Sequence, residues 1–342
     1  MRAWQVGPTF GLDHLQLGTR DPAVLRPGQV RVRLHAASLN FRDLLMVQGA
    51  YNPKQRLPLV PCSDGAGEVV EVGEGVSRFA VGDRVCPTFV QGWVAGEPDR
   101  AMLMSTLGGP LDGTLRPELV AVESGLVRIP DHLSFVEAAT LPCAAVTAWR
   151  ALVTHGGVKA GDTVLTQGTG GVSLFALQIA KLHGARVMIT SSSDEKLELA
   201  RRLGADLCVN YRSDPGWGAT AAKWAGGRGV DHVIELGGSE TLDQSLRAVR
   251  PGGTVHLIGV LSGPRAEVLL PRIFMAGVRV QGVLVGCARD FEALLRALDA
   301  APQVRPQVDG VLPFDEVPAA FARMQAGQHA GKIVIDLAQE TA

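Results

Sequence analysis

A glycine-rich turn between a strand-like and a helix-like run is the strongest chemical signal in the sequence. The apolar run Thr163–Gln167 leads into this turn, and a helical pattern over residues 171–183 follows it. Gly168 permits a tight turn and Gly170 lets the backbone approach a pyrophosphate, whose charge the N–H groups of the helix start attract. The third glycine of the G-x-G-x-x-G pattern falls on Ser173, which is still small enough for close helix–strand packing. The pattern predicts a dinucleotide site formed by Gly168, Gly170, Gly171 and Val172.

The end of the next apolar run, Arg186–Thr190, indicates which dinucleotide binds. An acidic residue near this point holds the ribose 2′-hydroxyl of NAD, but Ser191, Ser192 and Ser193 stand there instead. Hydroxyl donors, together with the cation of Lys196, suit a 2′-phosphate better than a bare hydroxyl. We therefore expect NADP to be bound by Ser191, Ser192 and Lys196. The alternative for the three serines is a helix N-cap cluster.

The segments that position these residues are of two kinds. Residues 1–130 are predicted to be β-rich, because short apolar runs such as Gln29–Leu34 and Gly67–Val72 alternate with glycine and proline turns. One short helix fits Asn40–Val47, and residues 88–119 are rich in glycine and proline and are predicted to be a loop excursion.

The pattern changes near residue 134, where Ser134 and Glu137 match a capping box before an alanine-rich helical run. From residue 163 strands and helices alternate, with further strands predicted at Leu207–Asn210, Asp231–Leu236, Thr254–Val260 and Arg279–Val285. Fully apolar strands alternating with helices indicate a parallel sheet covered on both faces. A helix over 289–299 and a tail ending in the strand Lys332–Asp336 are predicted to rejoin the first domain.

Composition excludes several classes of protein. The 342 residues suffice for two domains, and 33 basic against 34 acidic residues argue against nucleic-acid binding. No apolar stretch reaches the roughly 20 residues of a membrane span, and the first residues lack an apolar signal core. Five cysteines without a C-x-x-C pair indicate neither a disulfide framework nor a zinc knuckle. We expect a cytoplasmic protein that acts on a small molecule.

Three further runs, together with the Gly168 turn, resemble the medium-chain dehydrogenase/reductase superfamily. They are Gly65-Ala-Gly67-Glu-Val-Val-Glu-Val-Gly73-Glu-Gly75-Val76, Val81-Gly-Asp83-Arg-Val85 and Ala138-Ala-Thr-Leu-Pro142. The resemblance implies an α/β protein with a GroES-like catalytic domain, residues 1–130 completed by 288–342, and a Rossmann domain with a doubly wound parallel sheet, residues 131–287. It also implies an active site between the domains and a homodimer formed through strand 279–285.

Zinc-dependent members of this superfamily bind a catalytic metal through Cys, His and Cys, and the matching positions here are Asn40, Ser63 and Cys143. An asparagine amide and a serine hydroxyl are poor zinc ligands, and one thiolate cannot hold zinc alone. The resemblance is therefore to the zinc-independent branch of quinone oxidoreductases and enoyl reductases, for which Asn40-Phe-Arg-Asp43 is typical. We expect no metal; an unusual site formed by Cys62, Asp64 and Cys143 is the alternative, and a buried, inert Cys143 is favoured.

The same resemblance suggests three residues at the reacting centre. Asn40 is the first candidate to donate a hydrogen bond to the developing oxygen, its alternative role being a helix cap. Tyr51 is expected to donate a proton or only to shape the pocket. Thr147 matches a threonine near the nicotinamide, or it bonds to its own helix backbone.

Further cofactor contacts are expected at strand ends and near the C-terminus. Tyr211, after the third strand of the second domain, is expected to flank the adenosine, or has no role. The resemblance implies that Lys332 approaches the cofactor phosphates. It implies the remaining contacts at Leu236, Gly259, Val260, Leu284, Val285 and Gly286.

Three functions remain open from the sequence. The first is an NADPH-dependent, zinc-independent reductase of quinones or α,β-unsaturated carbonyl compounds. The second is an alcohol dehydrogenase, which Asn40 and Ser63 disfavour. The third is a dinucleotide-binding sensor without turnover.

Overall fold

Two compact units make up the chain in the structure, a computed structural model that describes residues 1–338. The first unit is formed by Met1–Val146 together with the segment that begins at Gly286. The second unit is Thr147–Val285. A continuous segment therefore forms the second unit, and the first unit is completed by the return of the chain.

The described residues form fifteen strands and eleven α-helices. The strands are β1 (Arg2–Val6), β2 (Leu15–Thr19), β3 (Gln29–Ser38), β4 (Asp64–Val72), β5 (Arg84–Pro87), β6 (Glu118–Val122), β7 (Leu126–Arg128), β8 (Thr163–Gln167), β9 (Arg186–Ser191), β10 (Leu207–Asn210), β11 (Val230–Glu235), β12 (Val249–Leu257), β13 (Arg279–Gly282), β14 (Val308–Pro313) and β15 (Lys332–Asp336). The helices are α1 (Phe41–Val47), α2 (Arg100–Leu103), α3 (Phe135–Ala138), α4 (Val146–Trp149), α5 (Gly171–Leu182), α6 (Asp194–Arg202), α7 (Trp217–Trp224), α8 (Leu242–Ala248), α9 (Pro271–Phe274), α10 (Ala288–Asp299) and α11 (Val317–Gln325).

The first unit is built on a mostly antiparallel sheet in the order β14-β15-β3-β4-β5-β7, with β6 also paired to β3. Strand β3 continues beyond the predicted end at Leu34, because Ala36 and Ala37 are buried and the alternation of apolar and polar residues stops there. The register pairs Ser38 with Asp64 on one side and with Val334 on the other. Three segments distant in the sequence therefore meet at one end of β3.

The second unit is a parallel sheet in the order β10-β9-β8-β11-β12-β13. The order reverses between β8 and β11, which is the switch point of a doubly wound fold and the place where such sheets bind ligands. Buried Leu165, Met188 and Val255 belong to its core. The predicted α/β class, a β-rich unit with a doubly wound parallel sheet, is confirmed.

Several predicted boundaries differ from those of the structure. The prediction divided the domains between residues 130 and 131, but the first unit continues to Val146. The reason is that α3, which begins after Ser134 with the predicted capping box, packs on β3 and β4 of the first sheet. Likewise β13 ends at Gly282 and β12 at Leu257, earlier than predicted, because the chain leaves the sheet there to form loops.

The sequence also predicts that no segment is long and apolar enough to span a membrane. Within residues 1–338, no helix is long and apolar enough to cross a membrane.

Candidate functional site

The glycine turn of the second unit has the geometry that a pyrophosphate requires. Gly168 adopts φ +72°, which glycine reaches without strain. Gly170 precedes α5 with φ −79° and ψ −178°, and a Cβ added at either glycine would meet no protein atom within 4 Å. Ser173 Oγ donates to the carbonyl of Gln167 at 2.5 Å, so serine tightens the turn where a third glycine was expected. Gly171 and Val172 begin α5, whose first N–H groups have no intrahelical acceptor.

A buried glutamate, which the sequence analysis missed, fastens this turn to the neighbouring strand. Gln167 Nε2 donates to Glu235 Oε2 at 2.7 Å, and Gln167 Oε1 accepts from the N–H of Leu236 at 3.0 Å. Glu235 Oε1 also accepts from the N–H groups of Gly237 and Gly238, each at 2.9 Å. The expected contact Leu236 is therefore held beside the glycine turn, at the switch point of the sheet. In the sequence, only the position of Glu235, a single acidic residue at the end of an apolar strand, could have indicated this role.

The serines at the end of β9 and just after it have two different roles. Ser193 is the N-cap of α6 and accepts from the N–H of Lys196 at 3.3 Å, so the N-cap alternative holds for this serine. Ser191 is buried and its hydroxyl lies 3.5 Å from Thr169 Oγ1 in the glycine turn. Tyr211 is partly exposed, and its N–H donates to the carbonyl of Ser191 at 3.0 Å. The structure thus places Ser191 beside the glycine turn and the backbone of Tyr211 next to Ser191.

The remaining predicted cofactor residues lie at strand ends. The N–H of Gly259 donates to the carbonyl of Glu235 at 3.2 Å, which places Gly259 and exposed Val260 beside Leu236. Leu284 is exposed and Val285 is buried. Gly286 is the first residue after the second unit, and it lies against Val146. A Cβ added at Gly286 would lie 2.6 Å from Val146 Cγ1. Ser192 and Lys196 are half-buried.

In the first unit, Asn40 lies where the sheet register brings three segments together. It is the N-cap of α1, and its N–H donates to Asp43 Oδ2 at 2.8 Å. Its side chain is 8% exposed; Oδ1 accepts from the Lys332 ammonium at 2.5 Å, and Nδ2 donates to Ser63 Oγ at 3.3 Å. Asn40 therefore caps the helix as the alternative proposed, but its amide also connects β15 to the start of β4.

Ser63 and Asp64 continue this set of contacts. Ser63 Oγ donates to Asp64 Oδ1 at 2.7 Å, and Asp64 Oδ2 accepts from the N–H of Cys143 at 3.1 Å. Burial raises the pKa of Asp64, while the charge of Lys332, 4.0 Å away, acts in the opposite direction. The preceding residue, Cys62, adopts φ +75°, an unusual conformation for a non-glycine residue. The backbone at this corner is thus constrained by the packing around it.

A second buried pair, Arg42 and Asp43, supports the same region. Arg42 Nη1 lies 3.1 Å from Asp43 Oδ1 and donates to the carbonyl of Leu107 at 3.0 Å. The guanidinium also lies over the rings of Tyr51 and Phe89, at 4.9 and 5.2 Å from the ring centroids. Tyr51 itself is 45% exposed. Thr147 is buried within α4, in the second unit.

The residues at the three zinc-ligand positions do not fit a zinc ion. The oxygen of Asn40, the only atom of that amide suited to a metal, already accepts from a buried ammonium. Cys143 is the only sulfur at the three positions, and one thiolate cannot hold zinc alone. Cys62 Sγ donates to the carbonyl of Ser38 at 3.3 Å. Among residues 1–338, no group of three or more His, Cys, Asp or Glu side chains is arranged to hold a metal.

Comparisons with known proteins agree with this architecture. The family model "Alcohol dehydrogenase GroES-like domain" matches residues 26–131, and the model "Zinc-binding dehydrogenase" matches residues 171–300. A zinc-type alcohol dehydrogenase-like protein of Schizosaccharomyces pombe is 42% identical over 92% of this chain and 93% of its own length. The acryloyl-coenzyme A reductase of Metallosphaera sedula is 30% identical over 90% of this chain and 92% of its own length.

Solved structures give the same result. The crystal structure of an NAD-dependent alcohol dehydrogenase superposes with a TM-score of 0.90 at 33% identity, covering 98% of this chain and 99% of that chain. Because the similarity spans both units and extends from sequence to fold, this chain belongs to the medium-chain dehydrogenase/reductase superfamily and is an NAD(P)-dependent oxidoreductase with a GroES-like and a Rossmann domain.

Proposed function

We propose that this protein uses NADPH to reduce quinones or α,β-unsaturated carbonyl compounds without a metal. One observation carries the proposal. The buried ammonium of Lys332 binds the oxygen of Asn40, the residue at the position of the first zinc ligand, so this oxygen is already bound to a cation of the chain itself. Without a Lewis acid to polarise an isolated carbonyl, an acceptor carbon activated by conjugation is favoured, because conjugation spreads the developing negative charge. The acryloyl group in one relative's name is such a conjugated system.

Asn40 is the residue that we assign to the developing negative charge. Its Nδ2 carries two hydrogens and donates to Ser63 Oγ at 3.3 Å, and a hydrogen bond from the Asn40 side chain also acts to lower the pKa of Asp64. We propose that this NH2 group donates to the enolate or quinol oxygen as charge develops there. Tyr51, exposed and beside Arg42, is assigned to the pocket as wall or proton donor, with water as the alternative donor.

NADPH, when bound, supplies the hydride. The residues proposed to hold it are those of the glycine turn, together with Ser191, Ser192, Lys196 and Tyr211 near the adenosine end. The preference for NADPH over NADH rests on the absence of a carboxylate at Ser191 and on the nearby cation of Lys196. Asp194, the nearest acid along the chain, accepts from Asn210 Nδ2 at 2.8 Å.

The cofactor preference is tested by Ser191→Asp. A carboxylate at this strand end repels a 2′-phosphate and accepts from a 2′-hydroxyl, so the ratio of the NADPH and NADH dissociation constants should reverse by about 10- to 100-fold. Ser213→Asp, on the loop after Tyr211, is the control for an added surface charge. Tighter binding of NADH than NADPH by the unmodified protein would contradict the preference.

The reaction is tested by following NADPH oxidation with a panel of quinones, enones and simple aldehydes. We expect turnover with quinones or enones and little with saturated aldehydes, because conjugated compounds spread the developing charge and depend less on polarisation by a Lewis acid. Faster reduction of aldehydes, or oxidation of alcohols, would favour the alcohol dehydrogenase that two of the relatives' names suggest. Tight NADPH binding with no turnover on any acceptor would favour a sensor.

We also propose that the protein is a homodimer, formed through the edge strand β13. Apolar side chains next to this strand are exposed, Phe274 by 69% and Met275 by 78%, and the strand itself has an unpaired edge. Light scattering of the Phe274→Glu/Met275→Glu variant should give a monomer where the unmodified protein gives a dimer; equal masses would contradict this interface. A cytoplasmic location and a small-molecule substrate remain part of the proposal, and no nucleic-acid partner is expected.

A further inference from the structure

We infer that Lys332 is a positioning residue for Asn40: its ammonium fixes which end of the amide faces the substrate. The inference rests on the proposed reductase function. Lys332 begins β15, between β14 and β3, and is 3% exposed. Its Nζ donates to the carbonyl of Leu39 at 2.6 Å and to Asn40 Oδ1 at 2.5 Å. A lysine in an interior strand is costly unless its charge is bound in this way.

The chemistry of the ammonium selects one orientation of the amide. An ammonium has only donors, whereas the two ends of an asparagine amide are an acceptor and a donor. Rotation of the amide by 180° would turn its NH2 group toward Lys332, so that two donors would face each other in a buried place. Lys332 therefore holds Oδ1 on its own side and directs Nδ2 toward Ser63.

The opposite end of the amide is selected by a carboxylate. The hydroxyl of Ser63 donates to Asp64 Oδ1 at 2.7 Å. Ser63 Oγ must then accept from Asn40 Nδ2, which is the direction that Lys332 also imposes. Hydrogen bonds thus connect the ammonium of Lys332 through Asn40 and Ser63 to Asp64, and the Asn40 side chain also hydrogen-bonds Asp64. A positive charge at its carbonyl end and a negative charge at its N–H end polarise the amide for donation.

Four buried ionisable side chains surround Asn40, and their opposite charges balance one another. Lys332 and Arg42 supply two positive charges, and Asp43 and Asp64 two negative charges, and all four side chains are buried. Replacing Lys332 alone would leave a carboxylate uncompensated and could unfold the domain. The double variant Lys332→Met/Asp64→Asn removes one charge of each sign and is the variant of choice.

Kinetic measurements distinguish a positioning role of Lys332 from a direct contact of Lys332 with the cofactor phosphates. If Lys332 acts through Asn40, Lys332→Met/Asp64→Asn should lower kcat about 10-fold or more while the dissociation constant of NADPH changes less than about 3-fold. In an Asn40→Ala background the same pair of changes should cost less than about 2-fold in kcat. Lys332→Arg, which keeps donors and charge, should recover part of kcat. Loss of NADPH affinity with normal kcat, or full additivity with Asn40→Ala, would overturn the inference. Lys54→Met, at an exposed lysine, is the matched control.

A spectroscopic readout keeps this test independent of turnover. The chain has three asparagines, Asn40, Asn52 and Asn210. Side-chain ¹⁵N-asparagine labelling of the whole protein therefore gives three amide groups, and Asn40→Ala assigns one of them. We expect the Asn40 amide to exchange slowly with water, and to shift and exchange faster in Lys332→Met/Asp64→Asn, while Asn52 and Asn210 stay in place. An unmoved Asn40 signal overturns the inference even in an active enzyme. A moved signal in a protein that reduces no acceptor supports the positioning and rejects the reductase function.

Discussion

The sharpest stability prediction concerns His256, on the interior strand β12 of the parallel sheet of the second unit. His256 is fully buried in β12, with Nε2 3.4 Å from His232 Nδ1, and its Nδ1 has no hydrogen-bond partner among the described residues. Burial, together with the neighbouring histidines, lowers the pKa of His256 from 6.5 to about 3. The carboxylate of Asp162 lies 3.5 Å from the other ring nitrogen of His232, and, within residues 1–338, no carboxylate is among the groups that act on the pKa of His256. An imidazolium at His256 would thus be buried without a counter-charge.

The sign and size of the effect follow from linkage. The folded-state pKa lies below the unfolded value, so His256 favours the folded state fully above about pH 6.5, and this contribution is lost as the pH falls toward 3. Between pH 7 and pH 5 the unfolded histidine gains a proton and the folded one does not. At 1.36 kcal/mol per pKa unit, the loss of unfolding free energy over this interval is about 2 kcal/mol.

The assay compares urea unfolding at pH 7 and pH 5 for the unmodified protein and for His256→Leu. We expect the unmodified protein to lose about 2 kcal/mol more than the variant between the two pH values, because the other titrating groups contribute equally to both. His14→Leu, at an exposed histidine, should lose as much as the unmodified protein. Equal losses for His256→Leu and the unmodified protein would refute the argument that a neutral, uncompensated ring is buried there.

Three other predictions concern the two sites. The free energy of unfolding of Gly170→Ala should differ from that of the unmodified protein by no more than about 1 kcal/mol, because the φ of residue 170 suits any residue and an added Cβ would meet no atom. Calorimetric titration should nevertheless show NADPH binding about 10-fold or more weaker, because the methyl group stands where the pyrophosphate approaches; unchanged affinity would place the phosphates elsewhere. Gly168→Ala should in addition cost about 1 kcal/mol or more in urea unfolding, because φ is +72° there; unchanged stability would argue against that turn geometry. Asn40→Ala should lower kcat about 100-fold or more if the amide binds the developing charge, and a variant that melts early but turns over normally would leave Asn40 only its capping role.

The nucleotide-binding half of the fold was predictable because its signals are local. The apolar run before Gly168, the glycines and the helical pattern after them lie within one short segment, and the structure reproduces that strand, turn and helix. The contact of Glu235 with Gln167 was not predictable, because it joins the ends of two strands that are adjacent only in the folded sheet. Periodicity reports which side of an element is buried, but it does not report which polar groups meet there.

The catalytic half shows the same limit more strongly. Sequence reasoning placed Asn40 at a helix start and at a former ligand position, both from nearby residues. It placed Lys332 at the cofactor phosphates, whereas the structure directs its ammonium to Asn40 and Leu39; the phosphate contact remains a prediction. That contact depends on the pairing of β3 with β15, between residues almost 300 positions apart. The domain boundary was placed before Ser134 rather than after Val146 for a similar reason, since a capping box locates a helix but not the sheet on which it packs.

The central claim is that reduction proceeds without a metal, and one measurement tests it most directly. With the best quinone or enone acceptor, the rate of NADPH oxidation is measured on the same sample before and after treatment with a chelator, and zinc is quantified by elemental analysis. We predict far less than one zinc per chain and an unchanged rate, because the oxygen of Asn40 is bound to the Lys332 ammonium and only one of the three ligand positions, Cys143, carries a sulfur. About one zinc per chain, with the rate lost on its removal and recovered on its return, would contradict the account.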